Sequence, residues 1–528
     1  MAGASAAPLA LTSNFEVGAV SVIDTQTNAM VGQPIELGGR PKSIAITPDG
    51  RFAYVVNEET DSVQVIELAT RRIVGEPIEL GGQLGPVAIS PDGKTAYVAD
   101  WSTEKLVAID TRTNQVTAAA KLGSWATGIA ISPDGKTAYM AEQGAQAVEV
   151  VDTRSMRVVG EPIPLTERPQ DVSVAPDGKR IYVADENSGV AAIDATTRKV
   201  TYLAPVPFWA GAITVAPDGK TGWVSGLGEP MVIDLQTGAL IKEVETGGEA
   251  GEAVLTPDGK RAFLVDRTSA GVKVFDTRTY AEITPRPSTA GGFVGGIAIT
   301  PDQSPTAAFT VPSITADFTA TFDGSASTDP DGTVRSWAWQ FGDGAAASEA
   351  AGPGTTATGA RAVHTYPGPG TYAAQLSVVD DEGCGAEEVF TGRTAYCSGN
   401  PAATVTHAVE VKAPAAPQPV ACSANFAIGG VAHNRKNGTV RLRVKFPSTG
   451  WFLLFGKKVH AVTRKVRRPG MATLTLHPRV ELAKALKKRL RASVRYRITF
   501  TPNGGCATKT VHRSVALLRA PRKKHGRR

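Results

Sequence analysis

The fold is decided by a hairpin-forming stretch near the start of the chain, Ile44-Ala45-Ile46-Thr47-Pro48-Asp49-Gly50-Arg51-Phe52-Ala53-Tyr54-Val55-Val56-Asn57. Pro sets φ at the first central position of a turn, Asp tolerates the second, and Gly adopts the left-handed conformation that follows, so two short apolar strands flank a tight turn. The Pro-Asp pair returns every 40 to 44 residues, and six of its seven copies continue with Gly: Pro48, Pro91, Pro133, Pro176, Pro217, Pro257 and Pro301. A four-stranded unit of this size cannot bury both of its faces without neighbours, so the period predicts a β-propeller.

The two ends of the repeat array complement each other. Residues 9–37 supply three strands of the repeat without the first, whereas residues 297–302 supply a first strand without the other three. Joining them in one blade leaves no unpaired sheet edge of the kind that invites aggregation. We therefore expect a seven-bladed ring over residues 9–303, preceded by an N-terminal remnant at residues 1–8.

The tyrosine-containing strands identify a family. Tyr54-Val55-Val56-Asn57 and Tyr97-Val98-Ala99-Asp100, each following a Pro-Asp-Gly turn, resemble the YVTN repeat of bacterial and archaeal surface propellers. The resemblance covers residues 9–302 and implies a surface-exposed binding protein. Blade five departs from the pattern, since Gly222-Trp223-Val224-Ser225 replaces the tyrosine strand.

A second module occupies residues 305–411. It contains Asp329-Pro330-Asp331-Gly332, then Trp337-Ala338-Trp339-Gln340-Phe341-Gly342-Asp343-Gly344, then His364-Thr365-Tyr366. These motifs resemble the polycystic kidney disease (PKD) domain, an immunoglobulin-like sandwich common in extracellular proteins. Asp323, Asp329 and Asp331 offer oxygen ligands for Ca²⁺, although local stabilisation of turns also explains them.

A third module is strongly basic. A Pro/Ala linker at 413–419 precedes a predicted β-sandwich at 420–518, in which Arg441-Leu442-Arg443-Val444-Lys445-Phe446 and Val494-Arg495-Tyr496-Arg497-Ile498 alternate, and a basic tail at 519–528 follows. Residues 420–528 hold 27 Lys/Arg against the single acid Glu481, while the rest of the chain carries a net charge of about −20. The basic module is expected either to bind a polyanion or to present a solvated surface.

The four cysteines point to an oxidising compartment. Pairing Cys384 with Cys397 and Cys422 with Cys506 keeps each bond inside one module, although four cysteines allow three pairings. Met1–Ala10 lacks the basic and apolar regions of a secretory signal, and Ala4-Ser5-Ala6 is similar to the end of one, so we expect a start that is truncated or assigned too late. No apolar run approaches the length of a membrane span.

The propeller sequence lacks common catalytic groups. All seven histidines lie at or beyond His364, so a Ser-His-Asp or Cys-His site in the ring is excluded. A ligand is expected over the channel mouth, where the candidate contacts are Arg40, Lys42, Trp125, Arg168, Phe208, Trp209, Glu252 and Phe293. Carboxylates at the ends of the second strands, such as Asp100 and Glu142, either hold a cation or cap turns.

The sequence as a whole predicts an all-β chain: a seven-bladed β-propeller, an immunoglobulin-like PKD sandwich and a second, basic β-sandwich. We expect a secreted or cell-surface adhesion scaffold whose propeller binds a protein or glycan, and we favour this binding role over an enzyme activity, which stays open. The basic module would attach to anionic envelope polymer through Arg441, Arg443, Lys445, Arg495 and Arg497. Two alternatives remain, a lactonase-like hydrolase with a carboxylate-bound cation and nucleic-acid binding through residues 420–528, for which inward-facing Phe446 and Tyr496 leave little stacking surface. Ca²⁺ is the only candidate cofactor.

Overall fold

The computed structural model describes residues 8–521 except 204–205, 208, 312, 345, 349–358 and 414–422. The chain divides into two compact units, one ending at Ala413 and the other beginning at Pro414. Strands dominate both units, and the described residues contain one α-helix. The all-β prediction is confirmed.

Six blades follow one another along the first unit, after three strands that open the chain. The opening strands are β1 (Leu9–Asn14), β2 (Ala19–Asp24) and β3 (Ile35–Glu36). Blades 1 to 3 comprise β4 (Pro41–Ile46), β5 (Phe52–Asn57), β6 (Ser62–Glu67), β7 (Arg72–Ile73) and β8 (Ile78–Glu79); β9 (Leu84–Ile89), β10 (Thr95–Asp100), β11 (Lys105–Asp110) and β12 (Gln115–Lys121); and β13 (Ala126–Ile131), β14 (Thr137–Glu142), β15 (Ala147–Asp152), β16 (Arg157–Val158) and β17 (Ile163–Pro164). Blades 4 to 6 comprise β18 (Pro169–Val174), β19 (Arg180–Asp185), β20 (Gly189–Asp194) and β21 (Val200–Tyr202); β22 (Ala210–Val215), β23 (Thr221–Gly226), β24 (Gly228–Asp234) and β25 (Leu240–Glu243); and β26 (Ala250–Leu255), β27 (Arg261–Asp266) and β28 (Gly271–Asp276).

The seventh blade joins the two ends of the array. Strand β29 (Val294–Ile299) pairs antiparallel with β1, with Ala298 opposite Leu11, and the sheet continues through β2 to β3. The first strand of every blade lies innermost, and each contacts the first strands of the two adjacent blades, from β4 through β26 to β29 and back to β4. The sheets therefore form a closed ring of seven around a central channel.

The repeated turn explains how neighbouring blades fit together. Gly50 has a φ of +66°, and its amide donates to the Thr47 carbonyl at 2.8 Å, while Asp49 accepts from the Thr47 hydroxyl. The same glycine in the next blade, Gly93, lies against the Pro48 ring, with 3.4 Å from an ideal Cβ to Pro48 Cδ. The turn that recurs in the sequence thus brings successive blades into contact at the base of the ring.

The PKD module packs as two sheets around an aromatic core. Its strands are β30 (Thr319–Asp323), β31 (Val334–Gln340), β32 (Ala346–Ser348), β33 (Arg361–Thr365), β34 (Gly370–Asp380), β35 (Val389–Phe390), β36 (Ala395–Cys397) and β37 (Thr404–Val411), with a 3₁₀ turn at Pro401–Ala403. One sheet has the order β32-β31-β34-β37, β30 pairs with β33, and β35 with β36 forms a separate hairpin. Trp339 and Phe341 are buried in the core as their strand pattern predicts, whereas Trp337 is half-buried and its indole donates to the Gly324 carbonyl at 3.1 Å.

The second unit is a sandwich with one short helix. Its elements are β38 (Ala427–Asn434), β39 (Thr439–Phe446), β40 (Gly450–Gly456), β41 (Val459–Val466), β42 (Gly470–Leu476), α1 (Val480–Arg489), β43 (Arg491–Pro502) and β44 (Lys509–Leu518). The sheets β38-β39-β42 and β41-β40-β43-β44 enclose a core that includes Leu442, Phe446, Phe452, Tyr496 and Phe500. The predicted N-terminal remnant, the linker at 413–419 and the basic tail lie, apart from Pro8, Ala413 and residues 519–521, outside the described residues.

Candidate functional site

A ring of cross-strand pairs forms the rim of the propeller, opposite the Pro-Asp-Gly turns. In six blades the residue after the second strand donates its amide to the carbonyl of the residue preceding the first strand or close before it. These pairs are Phe15 with Phe293, Glu58 with Arg40, Trp101 with Gln83, Glu186 with Arg168, Leu227 with Trp209 and Arg267 with Glu249. The backbone at these rim positions is therefore held by hydrogen bonds rather than lying in free loops.

Two clusters of aromatic and basic side chains stand on this rim. Lys42 Nζ lies 4.3 Å from the Trp101 ring centre, and Trp101 meets Trp125 edge to face at 5.9 Å. Phe15 meets Phe293 edge to face at 6.3 Å, with Arg40 Cζ 5.4 Å from the Phe15 ring centre.

Half of the eight ligand contacts predicted from the sequence belong to these two clusters. The clusters contain four of them: Arg40, Lys42, Trp125 and Phe293. Arg168 and Trp209 occupy rim pairs in other blades, and Phe208 lies outside the described residues.

Sequence reasoning missed Phe15 and Trp101. Each directly follows the polar residue that ends a second strand, so a large aromatic side chain after Asn14 or Asp100 was the available signal. Gly85 admits Trp101, because an ideal Cβ at Gly85 would lie 2.2 Å from the indole Nε1.

Glu252, the remaining predicted ligand contact, is bound by a residue of the PKD module. Arg393, in the turn between β35 and β36, approaches Glu252 at 2.9 Å and Asp171 at 3.0 Å through one guanidinium nitrogen. The side chains of Asp171, Arg393 and Glu252 are 6, 19 and 27% exposed. Burial raises the pKa of Glu252 to about 7, while Arg393 acts in the opposite direction.

The β35–β36 hairpin, which we call the plug (residues 389–397), enters the propeller channel from its base. The amides of Ile131 and Val174, the last residues of two inner strands, donate to the Gly392 and Thr391 carbonyls at 2.9 and 3.1 Å. The channel edge of an inner strand has no further strand to pair with, so these amides would otherwise lack a protein acceptor. Arg393 reaches farther, to the third residues of β18 and β26.

The plug is also held by apolar contacts and a disulfide. Tyr396 is 1% exposed in a core formed mainly by blades 5, 6 and 7, and Phe390 is 1% exposed in a core formed by blades 2 and 3. Cys384 and Cys397 form the predicted disulfide, with their Cα atoms 5.3 Å apart. Cys506 is disulfide-bonded, whereas its predicted partner Cys422 lies outside the described residues.

The polar residues that end the second strands act within their own blades. The Asn57 side chain accepts from the Arg40 amide at 2.9 Å, and Asp266 pairs with buried Lys273 at 2.6 Å. Asn14 accepts from the Ser21 hydroxyl at 2.9 Å, and Asp100 accepts from the Ser102 hydroxyl at 2.8 Å. The Asp100 contact caps the turn that follows its strand, whereas Asn14 and Asp266 bind side chains of the next strand in their blades.

In blade 3, the carboxyl groups of Glu142 and Glu149 accept hydrogen bonds from the same backbone amide. The Gly123 amide donates to Glu142 at 3.1 Å and to Glu149 at 3.0 Å, and both side chains are buried. Burial and the adjacent Glu149 carboxyl raise the pKa of Glu142 to about 8. Ionisation of Glu142 is therefore opposed.

The predicted calcium ligands do not form one group. Asp323 pairs with Arg361 at 3.0 Å on the surface. Asp329 and Asp331 lie instead where the PKD module meets the propeller base, and burial raises the pKa of both carboxyls, that of Asp331 to about 6. The Gln303 amide donates to Asp331 at 3.1 Å.

Further carboxylates that sequence reasoning missed complete this junction. Asp302 and Asp380 are each 2% exposed, and each has one buried oxygen without a hydrogen-bond partner. Burial, and the adjacent Asp380, raise the pKa of Asp302 well above its ordinary value. Sγ of Cys384 is close to both carboxylates, but its bond to Cys397 removes it as a metal ligand.

Three carboxylate oxygens converge beside Gly332. An ideal Cβ at Gly332 would lie 2.7 Å from Asp329 Oδ2, 2.7 Å from Asp381 Oδ1 and 3.0 Å from Glu382 Oε2. Neither Asp329 oxygen has a hydrogen-bond partner, nor does Glu382 Oε2. Burial and Asp381 raise the pKa of Glu382 to about 7. Among the described residues, the carboxylates close enough to share one ion are those of Asp302 and Asp380, which each place one oxygen within 4.8 Å of the other.

The five predicted polyanion contacts lie on opposite faces of the second unit. Arg441, Arg443 and Lys445 project outward from β39, whereas Arg495 and Arg497 project outward from β43 in the other sheet. They therefore do not form one patch. Sequence alternation places each side chain on the outer face of its own strand, but it does not indicate which strands share a sheet.

Two family models match the chain. The model described as "Lactonase, 7-bladed beta-propeller" matches residues 35–207, and the PKD domain model matches residues 302–394. No helix among the described residues is both long and apolar enough to cross a membrane.

Several known proteins are similar to parts of the chain. A microbial collagenase of Vibrio alginolyticus is 31% identical over 146 residues, which are 25% of this chain and 17% of the collagenase. Hydrazine synthase of Kuenenia stuttgartiensis is 26% identical with a TM-score of 0.46, covering 49% of this chain and 90% of that one. A functionally unknown protein of Desulfotomaculum acetoxidans is 20% identical with a TM-score of 0.48, covering 55 and 98%.

The likeness to the two solved structures carries no argument about activity, and the collagenase match spans about a sixth of that enzyme. The family matches and the strand topology support the same architecture. The chain combines a seven-bladed β-propeller of the lactonase type with a PKD domain in an all-β protein.

Proposed function

We propose that the protein is an extracellular binding scaffold, whose propeller rim contacts a protein or glycan partner and whose basic unit attaches to anionic envelope polymer. The observation that carries this proposal is the plug. Its Arg393 lies between Asp171 and Glu252, two carboxylates of the channel. A guanidinium in this position takes up the negative charge that a lactonase-like hydrolase would use to hold a cation.

The rim offers suitable contact chemistry. The Lys42–Trp101–Trp125 and Arg40–Phe15–Phe293 clusters combine half-buried aromatic rings with cations at their faces. Aromatic side chains and arginine are enriched at the energetic centres of interfaces. Since backbone hydrogen bonds hold Phe15 and Trp101 in position, binding would cost little ordering of the rim.

Three observations support the extracellular location. The Cys384–Cys397 disulfide favours an oxidising compartment. The PKD module and the similarity to a collagenase point to a protein that acts outside the cell. The strongly basic second unit suits attachment to an anionic surface.

The test uses the full chain on an array of immobilised glycans and on purified bacterial envelopes. We expect Lys42→Gln/Trp125→Ala to lose at least about tenfold in affinity for the bound component. Arg361→Ala, which alters an exposed ion pair in the PKD module, should retain it. Hydrolysis of a lactone panel that Glu252→Gln abolishes would contradict the proposal.

A second function, cation binding at the junction, is favoured by the buried, unpartnered oxygens of Asp302 and Asp380 and by those of the adjacent Asp329. Ca²⁺ takes six to eight oxygen ligands, which clustered carboxylates and backbone carbonyls can provide. A bound ion would also offset the repulsion between these groups and join the PKD module to the propeller base.

Calorimetric titration of the chelated full chain with Ca²⁺ tests this second function. We expect binding of Ca²⁺, and an unfolding free energy raised by about 2.7 kcal/mol at a hundredfold excess over Kd. Asp329→Asn/Asp380→Asn should abolish both effects, whereas Asp323→Asn should change neither. Absence of binding heat together with an unchanged melting temperature would refute the cation site.

A further inference from the structure

The outer face of the sheet β41-β40-β43-β44 carries exposed aromatic side chains along its centre. Trp451 is 50% exposed and Phe455 is 36% exposed, and Leu453 lies between them on β40. Register places Lys465 and Thr501 on either side of Trp451, and Arg497 beside Phe455. We call this surface the aromatic face.

A cation lies close to each ring. Lys465 Nζ lies 5.9 Å from the Trp451 ring centre, and Arg497 Cζ lies 5.1 Å from the Phe455 ring centre. Arg495, two residues before Arg497 on β43, is also exposed on this face. The aromatic face therefore pairs each ring with a positive charge that can meet an anionic group on a ligand.

Hydroxyl groups flank the aromatic row. Thr499 and Thr510 are hydrogen-bonded at 2.9 Å, and Thr501 and Thr508 at 3.1 Å, across the β43–β44 pair. Each hydroxyl has two acceptor lone pairs in addition to its one donor. These rows can accept hydrogen bonds from a hydroxyl-rich ligand.

The opposite sheet has no comparable pattern among its described residues. Its central strand β39 exposes Arg441, Arg443 and Lys445. The large apolar side chains exposed in this sheet are Val431 on β38 and Met471, opposite Lys445, and neither is aromatic. Basic side chains and threonine hydroxyls thus occur on both faces, since Thr473 and Thr475 lie beside Arg443 and Arg441. Exposed aromatic rings occur on one face among the described residues.

We propose that the aromatic face binds an extended polysaccharide of uronic acids. The C–H groups of a sugar ring carry partial positive charge and suit the negative faces of Trp451 and Phe455. Arg495 and Arg497 pair with the carboxylates, for which a planar guanidinium provides two parallel donors. The two rings are four residues apart on one strand, roughly 13 Å, so a ligand that contacts both is a polymer and not a single sugar.

Charge selects this occupant over a neutral glycan. The unit that carries the face has a single acid, Glu481, so a neutral polymer would leave its cations without partners. The inference rests on the proposed attachment to anionic polymer, and it names the face and the ligand class.

Binding of the full chain to polygalacturonate, inorganic polyphosphate and single-stranded oligothymidine tests the assignment. We expect Trp451→Ala to weaken polygalacturonate binding about tenfold and polyphosphate binding less than about twofold. Met471→Ala, an exposed apolar side chain on the other sheet, is the matched control and should leave both unchanged. Arg497→Gln should weaken polygalacturonate binding more than Arg443→Gln, which provides a second test if Trp451→Ala fails to fold.

The possible results distinguish failure of the aromatic face from failure of the proposed polymer attachment. Polygalacturonate binding that is indifferent to Trp451→Ala, or equally sensitive to Arg443→Gln and Arg497→Gln, would overturn the aromatic face while leaving polymer attachment intact. Absence of binding to all three polymers would overturn the attachment itself. Tighter, Trp451-dependent binding of oligothymidine would replace the polysaccharide with a nucleic acid.

Discussion

Removing the Arg393 guanidinium is expected to destabilise the first unit strongly. Arg393→Ala leaves Asp171 and Glu252 in the channel without their shared cation. Asp171 is 4% exposed and already has one buried oxygen without a partner. Breaking a buried ion pair by removing one member typically costs about 3–5 kcal/mol, and partial exposure of Glu252 keeps the expected loss within that range.

Urea denaturation of the first unit at pH 8 measures this loss, because Glu252 is then ionised above its raised pKa of about 7. Arg361→Ala is the matched control, since it removes an Arg–Asp pair of the same 3.0 Å length from the surface of the PKD module. The control should lose no more than about 1 kcal/mol. Equal losses for the two variants would refute the buried ion pair.

Three further predictions follow from other contacts. The pKa of Glu142 is raised to about 8, so the stabilisation tied to its protonated form is present below about pH 4.5 and is lost as pH rises through 8. The unfolding free energy should fall by up to about 5 kcal/mol over this range, and Glu142→Gln should remove the fall. An unchanged pH profile in the variant would count against the Glu142–Glu149 pair. Gly332→Ala puts a methyl group among the converging carboxylates, so the Ca²⁺-dependent rise in melting temperature should disappear, and its persistence would argue for another site. In Gly392→Val the new Cβ would lie 2.6 Å from Ala130 Cβ, so the plug should leave the channel. Trypsin should then cleave after Arg393 faster than in wild type, with cleavage after exposed Arg361 as the internal reference. Equal protection of Arg393 in both proteins would contradict the close fit of the plug.

Much of the architecture is readable from local sequence because local geometry enforces it. A Pro-Asp-Gly turn needs a residue that tolerates positive φ, so Gly50 and its equivalents mark six of the seven blades. The Cys384–Cys397 pair is predictable for a similar reason, since only 13 residues separate the two cysteines within one module.

The plug is not readable in this way. Arg393 is 222 residues from Asp171, and nothing in the residues near either one indicates the other. One signal was present: the seventh turn reads Pro301-Asp302-Gln303 in place of Pro-Asp-Gly. Gln303 donates to the Pro48 carbonyl at 3.2 Å and Asp302 joins the carboxylate junction, so the departure marks where the PKD module meets the ring.

The aromatic face of the second unit could be predicted from the sequence only in part. Alternation correctly predicts that Phe446 and Tyr496 point inward and that Arg495 and Arg497 point outward. Strand order is a non-local property, however, so the neighbours of Trp451 emerge only when β40 is seen between β41 and β43.

The central claim, that a hairpin of the PKD module fills the propeller channel, is tested most directly by hydrogen exchange at two amides. The Ile131 and Val174 amides donate to the Gly392 and Thr391 carbonyls at 2.9 and 3.1 Å. In the full chain we expect both amides to exchange as slowly as the paired amides of the inner strands. Exchange at the rate of exposed loop amides, in a chain whose inner strands remain protected, would contradict the account.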